Sequence, residues 1–233
     1  MWRIGGIAAI FVGMWSSSYG AELSIRLSNL SGAVLADAVV FDSKARVGPG
    51  SAESRKRQTI VQRGRVFEPF VTVVEKGTSI LFPNDDPMLH HVYSFSPAKH
   101  FEIKLYKGTP AAPILFDKTG VVALGCNVHD WMLAYVLVVD TPIFERSGKD
   151  GVAHLRPIAA GTYDLMVWYP GMREPVRLQS ITLAATESAS IDHRLDVAIK
   201  TRPKAPPFDP ARYSRLRGYR SIPGGDICMA DRS

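Results

Sequence analysis

Three features of the sequence predict an all-β protein. Apolar residues fall in short runs or alternate with polar ones, the pattern of strands rather than of helices. Gly, Pro, Asn and Asp clusters separate these runs at close intervals. No segment sustains a 3.6-residue apolar period, so a helical domain is excluded. With 233 residues and 46% hydrophobic content, the chain can build one or two small domains with real cores.

The elements follow in order. Residues 22–41 alternate through Leu23, Ile25 and Leu27, turn near Leu30 to Ala33, and resume at Ala38 to Phe41, giving two strands. Residues 43–57, with Gly48-Pro49-Gly50, read as a loop. Short strands are expected at 59–62, 66–69, 70–74 and 79–82, and again at 90–95 after the Asn84-Asp85-Asp86-Pro87 turn. Residues 96–118 read as loop-rich, with extended pieces near Phe101–Tyr106 and Ile114–Phe116. Two apolar runs from Val121 to Asp140 flank one polar turn. After a linker at 141–149, a second, smaller all-β module runs through 151–197.

The ends differ from this body. Arg3, the apolar run Ile4 to Trp15 and the small residues before Ala21 read as an export signal, residues 1–20, cleaved before about Ala21. That run is too short to span a bilayer, and no later stretch is long enough. Export to a periplasmic, oxidising compartment is therefore expected. Residues 200–233 hold eight Lys or Arg against three Asp, so this Pro- and Arg-rich tail carries +5 of the net charge of +6. It reads as a solvated end; an acidic protein partner is the alternative that its charge permits.

The chemistry concentrates on the turn between the two apolar runs. Cys126, His129 and Met132 stand in a Cys-x2-His-x2-Met spacing. A thiolate, an imidazole and a thioether on one tight turn are the ligand types of a mononuclear copper site with a weak axial Met. A second imidazole must come from elsewhere, and His90-His91 lie in a strand upstream. Adjacent strand residues face opposite sides, so only one of the pair can point inward, and we take His90. Gly125 allows close approach before the turn, and Trp131 would shield or line the site. The expected metal ligands are His90, Cys126, His129 and Met132. With two cysteines in an exported chain, a Cys126–Cys228 disulfide is the rival reading.

Phe82-x-Asn84, His90-His91-Val92-x-Ser94, Gly120 and the Cys126/His129/Met132 turn resemble the plastocyanin and pseudoazurin type of cupredoxin. In that family the first copper ligand stands in a His-Asn-Val segment, and His90 takes its place; His91 falls where the family has Asn. With Phe67-x-Pro69, Val74-x-x-Gly77 and Asp86 added, the frame resembles bacterial plastocyanin-like proteins labelled methylamine utilization proteins. Leu155-x-Pro157 and Gly161-Thr162-Tyr163-x-Leu165-x-Val167-Trp168 resemble a carboxypeptidase-regulatory-like module. These resemblances imply a Greek-key cupredoxin-like β-sandwich over residues 21–140 (core 59–140). A second small β-sandwich module follows at 141–199. They also imply one type-1 copper, carrying single electrons between periplasmic redox partner proteins.

No enzyme signature competes. There is no Gly-x-Ser-x-Gly, phosphate loop or His-Glu-x-x-His, and nothing points to nucleic acid. His154 and His193 lack acidic or thiol partners nearby in sequence, His100 reads as surface, and Asp85-Asp86 reads as part of a turn. Four protein ligands leave no open position on the metal, so electron transfer is expected rather than substrate turnover. Two other classes remain: a non-redox β-sandwich binding or adhesion protein built on the disulfide, and a periplasmic copper carrier.

Overall fold

The structure is a computed structural model that describes residues 21–44, 57–110, 112–185 and 187–207, with the backbone alone of 219–222 and 226–229. The export signal, most of the loop at 43–57, the side chain of Cys228 and much of the tail lie outside the described residues. Among the described residues there is no helix. In chain order the strands are β1 (Ala21–Asn29), β2 (Val39–Asp42), β3 (Arg57–Thr59), β4 (Val61–Arg63), β5 (Val66–Glu68), β6 (Val71–Glu75), β7 (Thr78–Leu81), β8 (His90–Ser96), β9 (Lys99–Tyr106) and β10 (Ile114–Phe116). They continue with β11 (Gly120–Gly125), β12 (Leu133–Val139), β13 (Phe144–Arg146), β14 (Val152–Ile158), β15 (Gly161–Trp168), β16 (Val176–Leu183), β17 (Ser188–Leu195), β18 (Tyr219–Ile222) and β19 (Asp226–Met229).

The fold is all-β, and its middle part is a β-sandwich. One sheet has the order β6-β12-β11-β8-β9; facing it are the sheet β10-β7-β3 and the hairpin β4-β5. Between them lies a core that includes Phe67, Ile80, Phe82, Val92, Phe116, Leu124 and Val136. Along β12, Ala134, Val136 and Val138 point into this core. The alternate residues Leu137 and Val139 point the other way, yet they are buried too. That second face is covered by Val39 and Trp168, whose strands belong to the other module. A strand covered on both sides reads as a continuous apolar run, which is the sequence from Leu133 to Val139.

The second module comprises the sheets β14-β1-β17 and β13-β2-β15-β16. Here the structure departs from the expected grouping. The N-terminal strands were expected to precede the copper domain within residues 21–140. Instead β1 pairs antiparallel with β14 and parallel with β17, and β2 pairs with β13 and β15. The inward set Ala21, Leu23, Ile25 and Leu27 packs with Leu155, Leu165 and Leu183. Alternation reveals that β1 has an apolar face but not which distant strand receives it.

Two loop expectations also change. Residues 99–106 form the eight-residue edge strand β9 against β8, so His100 lies on a strand. Within the tail, read above as a solvated end, Tyr219–Ile222 pairs with Asp226–Met229.

Trp168 joins the two modules. It is fully buried, its ring lies 5.5 Å from that of Tyr135, and its Nε1 donates to the Met172 carbonyl at 3.0 Å. Replacing Trp168 with Ala should lower the unfolding free energy by about 3–5 kcal/mol, the range for emptying a large aromatic site. Urea unfolding followed by far-UV circular dichroism measures it; a midpoint equal to the parent's would show that the modules do not share this core.

Candidate metal centre

The turn between β11 and β12 carries Cys126, His129 and Met132. The His129 amide donates to the Cys126 carbonyl at 3.4 Å, and the Met132 amide to the His129 carbonyl at 3.0 Å. Successive bonds of this i to i+3 kind stack side chains three residues apart on one side. The three-residue spacing in the sequence thus becomes one buried face. Cys126 is 4%, His129 2% and Met132 2% exposed. Met132 lies in the same apolar cluster as Cys126, with Trp131 packed against it.

β8 supplies the remaining imidazole. Its first residue, His90, is fully buried, with its ring centroid 4.8 Å from that of His129. One ligand atom from each of His90, Cys126 and His129 lies within 4.8 Å of the others, close enough for a single ion to touch all three. Among the described residues this is the one such grouping of His, Cys, Asp and Glu. The Cys126 sulfur stands 3.8 Å from His129 Nδ1. His91 faces away: its Nε2 meets Glu102 Oε1 at 2.7 Å, and its ring neighbours Tyr93. His100 and His154 are exposed, and neither belongs to the group; nor does His193.

The disulfide reading pairs Cys126 with Cys228, whose side chain lies outside the described residues. Cys126 is a free thiol packed inside the core with Met132.

The sequence reading missed the surroundings of His90. Asp86, read there as a turn residue, is buried, and its Oδ2 lies 2.8 Å from His90 Nε2. Its carboxylate also accepts from the amides of Gly64 at 2.7 Å and Arg65 at 2.8 Å. Gly64 and Arg65 form the two-residue turn between β4 and β5, with φ of 62° and 60°. Positive φ at both central residues defines a type I′ hairpin turn, and here it aims two successive N–H groups at one carboxylate. Burial pushes the Asp86 carboxyl up, but the hydrogen bonds from His90, Arg65 and Gly64 outweigh it and hold the carboxyl below its ordinary range. No local sequence signal joins Asp86 to that turn.

The two imidazoles are driven apart. Burial pushes His90 down, but Asp86 and the Cys126 sulfur outweigh the burial and hold it above its ordinary value. Burial, with the charges of His90 and Arg65 after it, pushes His129 down to about 4. At neutral pH His129 is therefore an uncharged imidazole, the form that binds metal. His90 Nε2 is engaged by Asp86, while its Nδ1 is buried with no hydrogen-bond partner. A buried ring nitrogen of this kind, beside a thiol and a neutral imidazole, is the chemistry that a copper ion satisfies.

No family model matches this chain, and no curated protein matches it. Among solved structures, the chain is similar to the Cu-containing nitrite reductase of Thermus scotoductus SA-01, at 22% identity and a TM-score of 0.35. That likeness covers 40% of this chain and 25% of the reductase, so this chain spans about a quarter of that enzyme's length. It is also similar to a purple cupredoxin from Nitrosopumilus maritimus (20% identity, TM-score 0.32), over 35% of this chain and 99% of that one. A reduced Cu(I) amicyanin variant is similar at 18% identity and a TM-score of 0.33, over 44% of this chain and 99% of that one.

The glycine before the turn fixes how closely the strands approach. A Cβ on Gly125 would lie 2.6 Å from Tyr93 Cζ and 2.7 Å from its hydroxyl. Gly125→Ala should therefore destabilise the metal-free protein by about 1–3 kcal/mol through overpacking. Adding Tyr93→Ala should recover part of that loss. Thermal unfolding of the three variants tests this, and an unchanged midpoint for Gly125→Ala alone would show that the ring moves aside freely.

Proposed function

We propose that this chain is an exported one-electron carrier, with a single type-1 copper held by His90, Cys126 and His129 and weakly by Met132. The observation that carries the reading is the buried convergence of His90 with Cys126 and His129 from two separate segments. When bound, copper supplies a one-electron couple between Cu(II) and Cu(I). The protein supplies the rest. Cys126 provides a thiolate, and His129 a lone pair that needs no deprotonation at neutral pH. The apolar cluster around Cys126 and Met132 keeps water away, and Met132 favours neither oxidation state strongly. Trp131 packs its ring 5.0 Å from His129 and donates to the Arg65 carbonyl, so the turn is braced against the β4-β5 hairpin. Four protein ligands leave no site for a substrate, which favours a carrier over an enzyme.

The leader-like N-terminus supports a periplasmic setting. Among the described residues no helix is long and apolar enough to cross a membrane. The methylamine utilization resemblance is kept as a proposal about the redox setting alone.

Copper titration tests the assignment. Cys126→Ser should lose the intense thiolate-to-copper absorption while keeping its far-UV dichroism. His90→Ala should lose the site, whereas His91→Ala should retain it. A Cys126→Ser protein that stays strongly coloured with Cu(II) would sink the reading, and reversed effects for the His pair would overturn the ligand choice. Ready loss of copper to a modest chelator would favour the carrier of metal over the carrier of electrons.

The tail enters the proposal as a docking element for an acidic redox partner. Its first residues lie along the copper module: Arg202 Nη1 meets Glu68 at 3.0 Å, and Arg65 Nη2 donates to the Pro206 carbonyl at 2.7 Å. Truncation after Pro207 keeps these contacts. It should leave the copper spectrum unchanged and slow electron exchange with an acidic partner at low salt, the difference shrinking as salt screens it. Equal rates at low salt would leave the removed residues without a steering role.

A further inference from the structure

Asp86 has no place in the ligand set, yet its carboxylate is buried and held by three partners. Its side chain bridges two segments that are distant in sequence. Gly64 and Arg65 donate to it from the β4-β5 turn, and His90 meets it from the start of β8. Its own amide donates to Asn84 Oδ1 at 3.0 Å. Asn84 is anchored in turn, its Nδ2 donating to the Met88 and Tyr106 carbonyls at 2.8 Å each. The carboxylate therefore cannot swing away from the imidazole.

We propose that Asp86 is the positioning residue of the metal centre: it fixes the His90 ring with Nδ1 toward the metal and places a buried negative charge one imidazole away from it. The proposal rests on the copper reading above. An ionised carboxylate only accepts hydrogen bonds, so Nε2 must carry the proton and Nδ1 must be the ligating nitrogen. A carboxylate behind a ligating imidazole makes that ligand more basic. Its charge also favours whichever state of the ion is more positive, and low surrounding polarity strengthens the effect. Asp86 thus holds Cu(II) preferentially over Cu(I) and keeps the reduction potential low for this ligand set. A purely structural carboxylate would tie the β4-β5 turn to β8 without this preference.

Asp86→Asn separates the two roles, because the amide keeps the size and an acceptor oxygen but removes the charge. Cu(II) and Cu(I) affinities are measured by competition with chelators, and the potential by spectroelectrochemistry. In Asp86→Asn, Cu(II) affinity should fall about 10- to 100-fold, the scale for a lost partner of a metal-bound His. Cu(I) affinity should fall less, and the midpoint potential should rise. An unchanged potential with an unchanged ratio of the two affinities would overturn the proposal. Should the variant not fold, nitrogen-15 NMR of the wild-type Cu(I) protein decides: the His90 proton belongs on Nε2 and is protected from exchange, and a proton on Nδ1 overturns the assignment. A wild-type protein that takes up no copper would overturn the underlying reading and the proposal with it, whereas a copper protein indifferent to Asp86→Asn overturns the proposal alone.

Discussion

The register of β11 against β12 is the constraint on which the site depends. Gly120 pairs with Val138 and Gly125 with Leu133, so the connecting segment has only residues 126–132 in which to reverse direction. A turn that short forces its side chains into stacked positions, and Cys126, His129 and Met132 take the buried ones. Gly125 also pairs with Tyr93 on β8, which brings the first residue of that strand beside the turn. A slip of one residue would send Ala134 and Val136 outward and carry the donors off the core. The pairing is secured because both faces of β12 are buried, one in the sandwich core and one against the second module.

Electrostatics then distinguish two imidazoles that are nearly equally buried. His90 has a carboxylate behind it and a sulfur in front, and its charged form is favoured despite burial. His129 is buried beside positive neighbours, His90 and Arg65, and burial with their like charge strongly disfavours its charged form. The same pocket therefore favours the charged form of one ring and the neutral form of the other.

The buried face of Cys126, His129 and Met132 was legible in the sequence because its geometry is local: three residues, three steps apart, within one reversal. Strand alternation likewise showed that only one of His90 and His91 can face inward, but not which; the structure groups His90 with Cys126 and His129. What stayed hidden depended on contacts far apart in the chain. Asp86 reads as an ordinary turn residue until Gly64 and Arg65 are seen to point their amides at it. β1 and β2 lie next to the first sandwich in sequence but pair with β14, β17, β13 and β15. The extended piece near Phe101–Tyr106 was legible, but it starts two residues earlier, at Lys99, and runs as a full edge strand; an edge strand tolerates the polar Lys99, His100, Glu102 and Lys104, since one face and one ladder meet solvent.

Arg65 shows how much is asked of the β4-β5 turn. A left-handed backbone at a residue with a Cβ costs roughly 1–2 kcal/mol, and glycine would remove most of that cost. Yet glycine could supply only the backbone contacts, the amide donated to Asp86 and the carbonyl accepting from Trp131. The arginine side chain adds two more: its guanidinium stands 5.8 Å from the Trp131 ring centre, and its Nη2 donates to the Pro206 carbonyl. One residue thus touches the carboxylate behind His90, the indole beside His129 and the start of the basic tail. A cation over an indole contributes roughly 0.5–2 kcal/mol, and a hydrogen bond to a charged donor about 1.5–3 kcal/mol. Together these offset the backbone strain, which accounts for a non-glycine residue in a conformation that glycine would adopt freely.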